Sequence, residues 1–503
     1  MQRGFRELWN LLSPARQAAF AEQCASRAAA RGLFVYRADA DRRVPIPPIL
    51  SPVVIDDAEA AALSTQSHQL LSAIQKTSEA LITGQLPWAD RRRIFVALSP
   101  FERERVQAGF AHARHVAIAR ADLFPAADGG HRALEMNATI PAMQGYSDAV
   151  TSAWFDAFGA AFGLADDAVA ALRRQNGSNS ADLLRSLLAH AARTGRTEVG
   201  SIAIVARAGD SQLGDLDAIA RAWRQAGIEV EHCNPDEIAI DAGVATARGR
   251  RFDLWYRHIF AWRLDPAGAF ATMLRDPVRF GVWNPVDPQL EVKAMLALTQ
   301  RVAEEQPRLG GLTLSDAERH AALTLAPWTR LLAPGASTLD DGSAVTELLA
   351  HVAAHPGRYI LKRSWAYGGK SVLLAEHLDD ADTQSRLRTM FGLDAETPAI
   401  DWTRLVDLAA NDRHDVWIVQ RIVEPRTTEH LVTGAGGPRW QHLVADLSMY
   451  ANHGVDTPMS GGAVRVSASR IVNIATGGGM APLVRASVAG ELFAAASRRL
   501  ATT

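Results

Sequence analysis

The 503-residue sequence predicts a mixed α/β (α+β) fold of several lobes, and three patterns lead there. The first third reads mainly helical. The middle carries a strand–helix–strand unit, and the last part is rich in short strands around glycine turns. The length fits this reading, since domains of roughly 100–200 residues allow two to four of them, each with a sizeable core.

Taken in order, Ser13-Pro14 supplies an N-cap and a proline at the first helical position, and Gly32 ends the alanine-rich stretch behind them. Residues 57–85 and 100–118 read as further helices. At ARADLFPAADGGHRALEMNATIPA (119–142) two extended segments, Ala121–Phe124 and Arg132–Met136, flank a DGG turn, which predicts a hairpin. The polar run RRQNGSNSAD (173–182) reads as a linker. Beyond it come a strand SIAIVAR (201–207), an amphipathic helix LDAIARAWRQAG (216–227), and strands IEVEH (228–232) and FDLWYRH (252–258). That spacing predicts a small parallel α/β unit, although no G-x-G-x-x-G follows its first strand. From about 285 the chain reads helical, then β-rich: VWIVQRIV (416–423) is a buried strand, and 431–450 are two strands around a glycine turn. These breaks divide the chain into 1–118, 119–172, 173–284 and 285–503.

Hydrophobic residues make up 48% and charged residues 21%, ordinary values for a globular protein. A formal net charge of −2 offers no basic field for nucleic acid or an anionic membrane. The two cysteines, Cys24 and Cys233, have neither metal-ligand spacing nor a disulfide framework, which fits a reducing compartment. Charges interrupt the opening residues MQRGFRELWNLLSPARQ, and no run of ~18 uncharged apolar residues occurs, so neither a signal peptide nor a membrane span is expected. The expectation is a cytoplasmic protein; no pattern sets its oligomeric state.

The stretch YILKRSWAYGGKSVLLA (359–375) matches the end of the phosphate-binding pattern G-x-x-x-x-G-K-[ST], with Ser364 where its first glycine belongs. That loop must open a helix, whereas Val-Leu-Leu-Ala follows Ser371. A β-hairpin with a glycine tip fits better, with Lys362 on the incoming strand and Lys370 at the tip giving positive charge to phosphates. An ordinary solvated turn also fits this stretch taken alone. The 119–142 hairpin adds an independent signal. Glu135 and Asn137, two apart on a strand, share a face, Asp122 can oppose them, and Arg120 shares the face of Asp122. Two carboxylates, an amide and an arginine on one face are costly without a cation and an anion to neutralise them.

Arg-x-Asp, a turn, then Glu-x-Asn resembles the metal-binding hairpin of ATP-grasp ligases. It precedes the lysine-bearing hairpin, an order similar to that of the circularly permuted ATP-grasp enzymes typified by glutathionylspermidine synthetase, here without the amidase domain. The resemblance extends over about 115–480. FDLWYRHIFAW (252–262) resembles the strand closing an inserted Rossmann-like domain, NPVDPQLEVKAMLALT (284–299) a segment whose Lys293 faces nucleotide, and VWIVQRIVEP the adenine hinge with Gln420.

The resemblance implies a permuted ATP-grasp fold with a helical N-terminal region, using ATP and Mg2+. It also implies that Lys293 and Lys362 hold phosphates under a loop containing Tyr367, Gly368, Gly369 and Lys370. Asp122, Glu135 and Asn137 would carry magnesium, and Arg120 would steady the transferring phosphoryl group. The implied activity is an ADP-forming ligase that joins a small-molecule or peptide carboxylate to an amine through an acylphosphate. A small-molecule kinase of the same fold and a non-catalytic nucleotide-binding scaffold are the alternatives.

Several residues carry two readings. Glu135-x-Asn137 also suits a turn, Lys362 suits an exposed strand face, and Lys293 suits a helix surface. Arg465, behind Gly461 and Gly462, fits either an anion contact favoured by those glycines or a structural ion pair. Ser467, Asn473 and the glycines 477–479 form a candidate substrate loop. Gln144, Tyr146, Ser147 and Asp148 follow the hairpin closely enough to line an acceptor site. His112, His115, His258 and His442 show no metal spacing and read as structural.

Overall fold

A computed structural model describes residues 2–108, 118–305, 312–366, 371–451, 461–472, 474 and 478–502. The chain has a mixed α/β fold in which three sheets surround one cavity.

The largest sheet has six strands. Its order runs Gly479–Ala481, Gly462–Ser467, Gly437–Ala451, Ala119–Pro125, His131–Asn137, with Thr427–Gly434 also paired to the long strand. All of its pairings are antiparallel. Alternation fixes the two faces of Ala119–Pro125: Ala119, Ala121 and Leu123 join the main apolar core, while Arg120 and Asp122 face the cavity. The helix Asp57–Ile82 covers the apolar face with Leu70, Leu71 and Ile74, each burial stabilising by about 1.5–3 kcal/mol. Asp56 caps that helix by accepting from the Ala58 and Glu59 N–H groups.

A second, antiparallel sheet runs Thr329–Leu331, Trp417–Arg421, Tyr359–Arg363, Val372–Leu374. YILKRS therefore pairs with SVLLAE, and a strand rather than a helix follows Ser371. The third sheet is parallel, in the order Val282–Trp283, Leu254–His258, Ser201–Ala206, Glu229–Cys233. All five residues of Leu254–His258 are buried, as an interior parallel strand covered on both faces requires. That strand does not close the sheet; Val282–Trp283 forms the edge beyond it.

Residues 173–182 correct the linker expectation. The helix Asp166–Asn176 ends at Gly177, and Ser178 caps the next helix, Asn179–Arg193. Asp148 supports that cap by accepting from Ser178 Oγ and from the Asn179 and Ser180 N–H groups, so the polar residues terminate helices. The N-terminal region also contains strands that its helical appearance hid. Phe34–Arg37 pairs with Arg42–Pro45, and Val53–Ile55 runs parallel to Leu483–Arg485. Among the described residues no helix is long and apolar enough to cross a membrane.

Candidate active site

A cavity of about 580 Å³ lies where the three sheets meet. Arg120, Asp122, Glu135, Asn137, Asp446 and Arg465 of the six-stranded sheet line it, with Lys362 and Gln420 of the second sheet. Strand pairing sets the first group, since Arg120 lies opposite Asn137 and Asp122 opposite Glu135. A β-bulge makes this register possible: Leu123 pairs with Ala133, so Leu134 is the extra residue.

The charges form a ladder across the sheet. Arg120 donates from Nε and Nη2 to the two oxygens of Asp122, at 2.7 and 3.1 Å, and from Nη1 to the Ala142 carbonyl at 3.0 Å. Arg465 Nη2 donates to Asp122 Oδ2 at 2.9 Å and also to Asp446 Oδ2. Ser448 Oγ, in register with Asp122, lies 3.1 Å from Asp122 and 3.2 Å from Asp446. Burial opposes the Asp122 charge, but Arg120 and Arg465 outweigh it and hold the carboxyl well below its usual range. For Asp446 burial wins over Arg465 and pushes the carboxyl up to about 6.

Lys362 is buried, donating to Gln420 Oε1 at 2.7 Å and reaching the carbonyl of the bulged Leu134 at 3.4 Å. Burial pushes its ammonium down to about 8, with Glu135 partly countering. Gln420 in turn donates to Thr329 Oγ1 at 2.9 Å. Lys293 is not part of the cavity wall. Its Nζ stands 3.2 Å from Glu135 Oε2 and donates to the Ala366 carbonyl at 2.7 Å. Burial opposes the Glu135 charge, and Lys293 and Lys362 pull the carboxyl below its ordinary value against Asp122.

Residues 291–294 staple these parts together. Glu291 accepts from the Ala138 and Thr139 N–H groups, just past Asn137. Lys293 N donates to the Ser364 carbonyl and Ala294 N to Ser364 Oγ, both at 3.0 Å. The buried Arg257 adds a second clasp, donating to the carbonyls of Thr139, Ile259, Asn284 and Pro285.

The structure thus brings together Arg120, Asp122, Glu135, Asn137, Lys362, Gln420 and Arg465, with Lys293 behind Glu135. Tyr367, Gly368, Gly369 and Lys370 lie outside the described residues, as do Asn473 and Gly477. Three expectations change. Gly462 is accounted for by packing beside Arg465: a Cβ there would collide with the backbone carbonyl of Ser448, whereas at Gly461 it would meet the Asn179 side-chain oxygen. Of 144–148 only Tyr146 lines this cavity, because Ser147 bonds the Gly462 carbonyl and Asp148 caps a helix. His258 belongs to the cavity wall rather than to the core alone. Asp446 and Ser448, which sequence reading missed, were detectable only as polar residues at alternate positions of the otherwise apolar second half of their strand, 443–451.

No family model and no curated protein matches the chain. Among solved structures, it is similar to a glutathione synthetase-like effector from Globodera pallida in its apo form. The identity is 11% and the TM-score 0.53, with 94% of this chain and 98% of that one covered. A putative gamma-glutamylcysteine synthetase from Methylobacillus flagellatus shows 13% identity and a TM-score of 0.37, covering 83% of this chain and 85% of that one. The first of these likenesses shows a mixed α/β fold resembling glutathione synthetase-like structures.

The residues fit the groups that such a fold implies. The cavity volume suits a nucleotide. Apolar side chains including Phe124, Leu134, Ile360, Leu374 and Ile422 wall the part beside Lys362, as a base requires. Asp122, Glu135 and Asn137 could offer the hard oxygens magnesium prefers, and Asn137 Nδ2, buried with no partner among the described residues, is a donor that suits a phosphate oxygen. Asp122 is engaged by both arginines, which leaves Glu135 and Asn137 as the more available donors.

Proposed function

We propose that the chain is an ATP-dependent carboxylate–amine ligase that forms an amide through an acylphosphate and releases ADP. One observation carries this reading: a nucleotide-sized cavity is lined by Arg120 and Arg465 beside the register-paired Asp122 and Glu135, with Lys362 on the neighbouring sheet. Mg-ATP would supply the phosphoryl group that activates the carboxylate. Lys362 would neutralise phosphate charge, Lys293 supports Glu135 from behind the cavity wall, and Glu135 and Asn137, with Asp122, would hold the metal. Arg120 and Arg465 stabilise the charge developing on the transferring group and on the oxyanion formed when the amine attacks, each such donor being worth about 2.7–4 kcal/mol. The protein's contribution is to position groups and neutralise charge.

A second reading, nucleotide binding without turnover, draws on the two arginines that occupy Asp122. Incubating the protein with Mg-ATP and pooled carboxylic acids, peptides and amines, and following nucleotides by chromatography, separates the two. ADP that requires both an acid and an amine, and that is lost in Glu135→Gln and Lys362→Ala, establishes the ligase. ADP with an acid or alcohol alone means a kinase. AMP and pyrophosphate overturn the reading, and binding without turnover favours the scaffold.

A further inference from the structure

The cavity continues past Arg120 to walls that do not belong to the nucleotide part. Three segments meet there: the N-terminal strand Phe34–Arg37, the loop after Ser201–Ala206 and the loop after Leu254–His258. The N-terminal strand is locked in place. Its Tyr36 N–H donates to the Ser211 carbonyl at 3.0 Å, and Tyr146 Oη donates to the Phe34 carbonyl at 2.6 Å. Gly32, at φ +99°, and Gly214 face each other so closely that a Cβ on either would collide with the other's carbonyl.

The lining there is of two kinds. Tyr36, Ile140, Met143, Tyr146, Ile259 and Phe260 give an apolar, aromatic wall. Arg37, Arg207 and Arg263 stand beside it with one carboxylate, Asp210, so positive charge is in excess. Arg207 is tied to Asp210 at 2.9 Å, and Arg263 stacks at 4.4 Å on Trp262, a half-exposed ring. Burial depresses the Arg263 pKa and the Arg207 charge adds to this, with Asp210 countering only in part, a cost that an anion beside Arg263 would relieve. Between the two linings, His258 Nε2 bonds Gln212 Oε1 at 2.9 Å, which fixes the ring against the wall.

We propose that this end is the acceptor-substrate subsite and that it takes an anion with an apolar or aryl body, the anionic group lying between Arg207 and Arg263. This deepens the ligase reading and rests on it for the word substrate. The N-terminal region then has a defined role: its first strand completes the specificity wall.

The test is calorimetric titration of the full chain with 3-phenylpropionate, 3-phenylpropionamide and acetate, run beside Mg-ATP. The expected result is binding of 3-phenylpropionate about tenfold or more tighter than either control. An Arg207→Ala/Arg263→Ala double variant should lose about tenfold in 3-phenylpropionate affinity while keeping Mg-ATP affinity. Both arginines are partly exposed, so folding survives their removal, and thermal melting checks this. Equal binding of the amide, equal binding of acetate, or an unchanged affinity in the double variant overturns the proposal. Mg-ATP binding with no 3-phenylpropionate binding overturns it and leaves the nucleotide reading standing. The reverse result removes the nucleotide reading and keeps the anion subsite.

Discussion

At the scale of single residues, the site is built from charges held out of water. Lys362 titrates at about 8 when folded, against about 10.4 in an unfolded chain. Its charge is therefore lost as pH rises through 8. Nucleotide affinity of the free protein should fall across pH 8–9.5, and Lys362→Ala should bind Mg-ATP about 10–100-fold more weakly at pH 7 and lose most of that pH dependence. Stability moves the other way. Between about 8 and 10.4 the unfolded chain binds more protons, so this residue's contribution rises with pH there; below 8 the folded state bears the whole cost of burying the ammonium. Urea unfolding of wild type and Lys362→Met at pH 7 and 10 checks the sign, the difference shrinking at pH 10. Asp446 gives a second test. Asp446→Asn removes one of the two carboxylates that Arg465 joins, so the arginine should shift onto Asp122 and metal activation should need several-fold more Mg2+.

At the scale of elements, pairing and packing place the site. The two hairpins were legible in the sequence because each shows extended runs around a glycine turn, and i, i+2 alternation alone put Glu135 and Asn137 on one face. The bulge at Leu134 was not legible. It has no glycine to mark it and exists because Asp122 and Glu135 must stay in register while Leu123 and Ala133 both face the core. The clasp by Glu291 was also hidden, since a glutamate before a helix looks like a surface residue until its two amide donors, 152 and 153 positions away, are known. Removing it leaves two buried N–H groups unpaired, each costing about 1–3 kcal/mol. Glu291→Ala should therefore lower unfolding free energy by a few kcal/mol in urea titration. The N-terminal hairpin was missed because alanine-rich helices dominate its neighbourhood, and its anchoring pair, Gly32 and Gly214, lies far apart in sequence.

At the scale of the whole molecule, the mixed α/β class was readable from the succession of periodicities, whereas the meeting of three sheets around one cavity depends on contacts that no local pattern encodes. The two cysteines report on that larger architecture. Burial pushes the Cys233 thiol up to about 12 and Cys24 higher still, and the two lie in separate cores, one under the N-terminal helices and one beside the parallel sheet. A thiol reagent should leave both unreacted in the native protein, and both should react once urea unfolds it. If one reacts well before the other, the two cores open independently. Calorimetric titration of Mg-ATP into wild type, Lys362→Ala and Glu135→Gln decides whether the cavity is a Mg-ATP site. One site is expected in the wild type, weakened about 10–100-fold by Lys362→Ala and made largely insensitive to magnesium by Glu135→Gln. No binding to the wild type, or equal binding to all three, would contradict it.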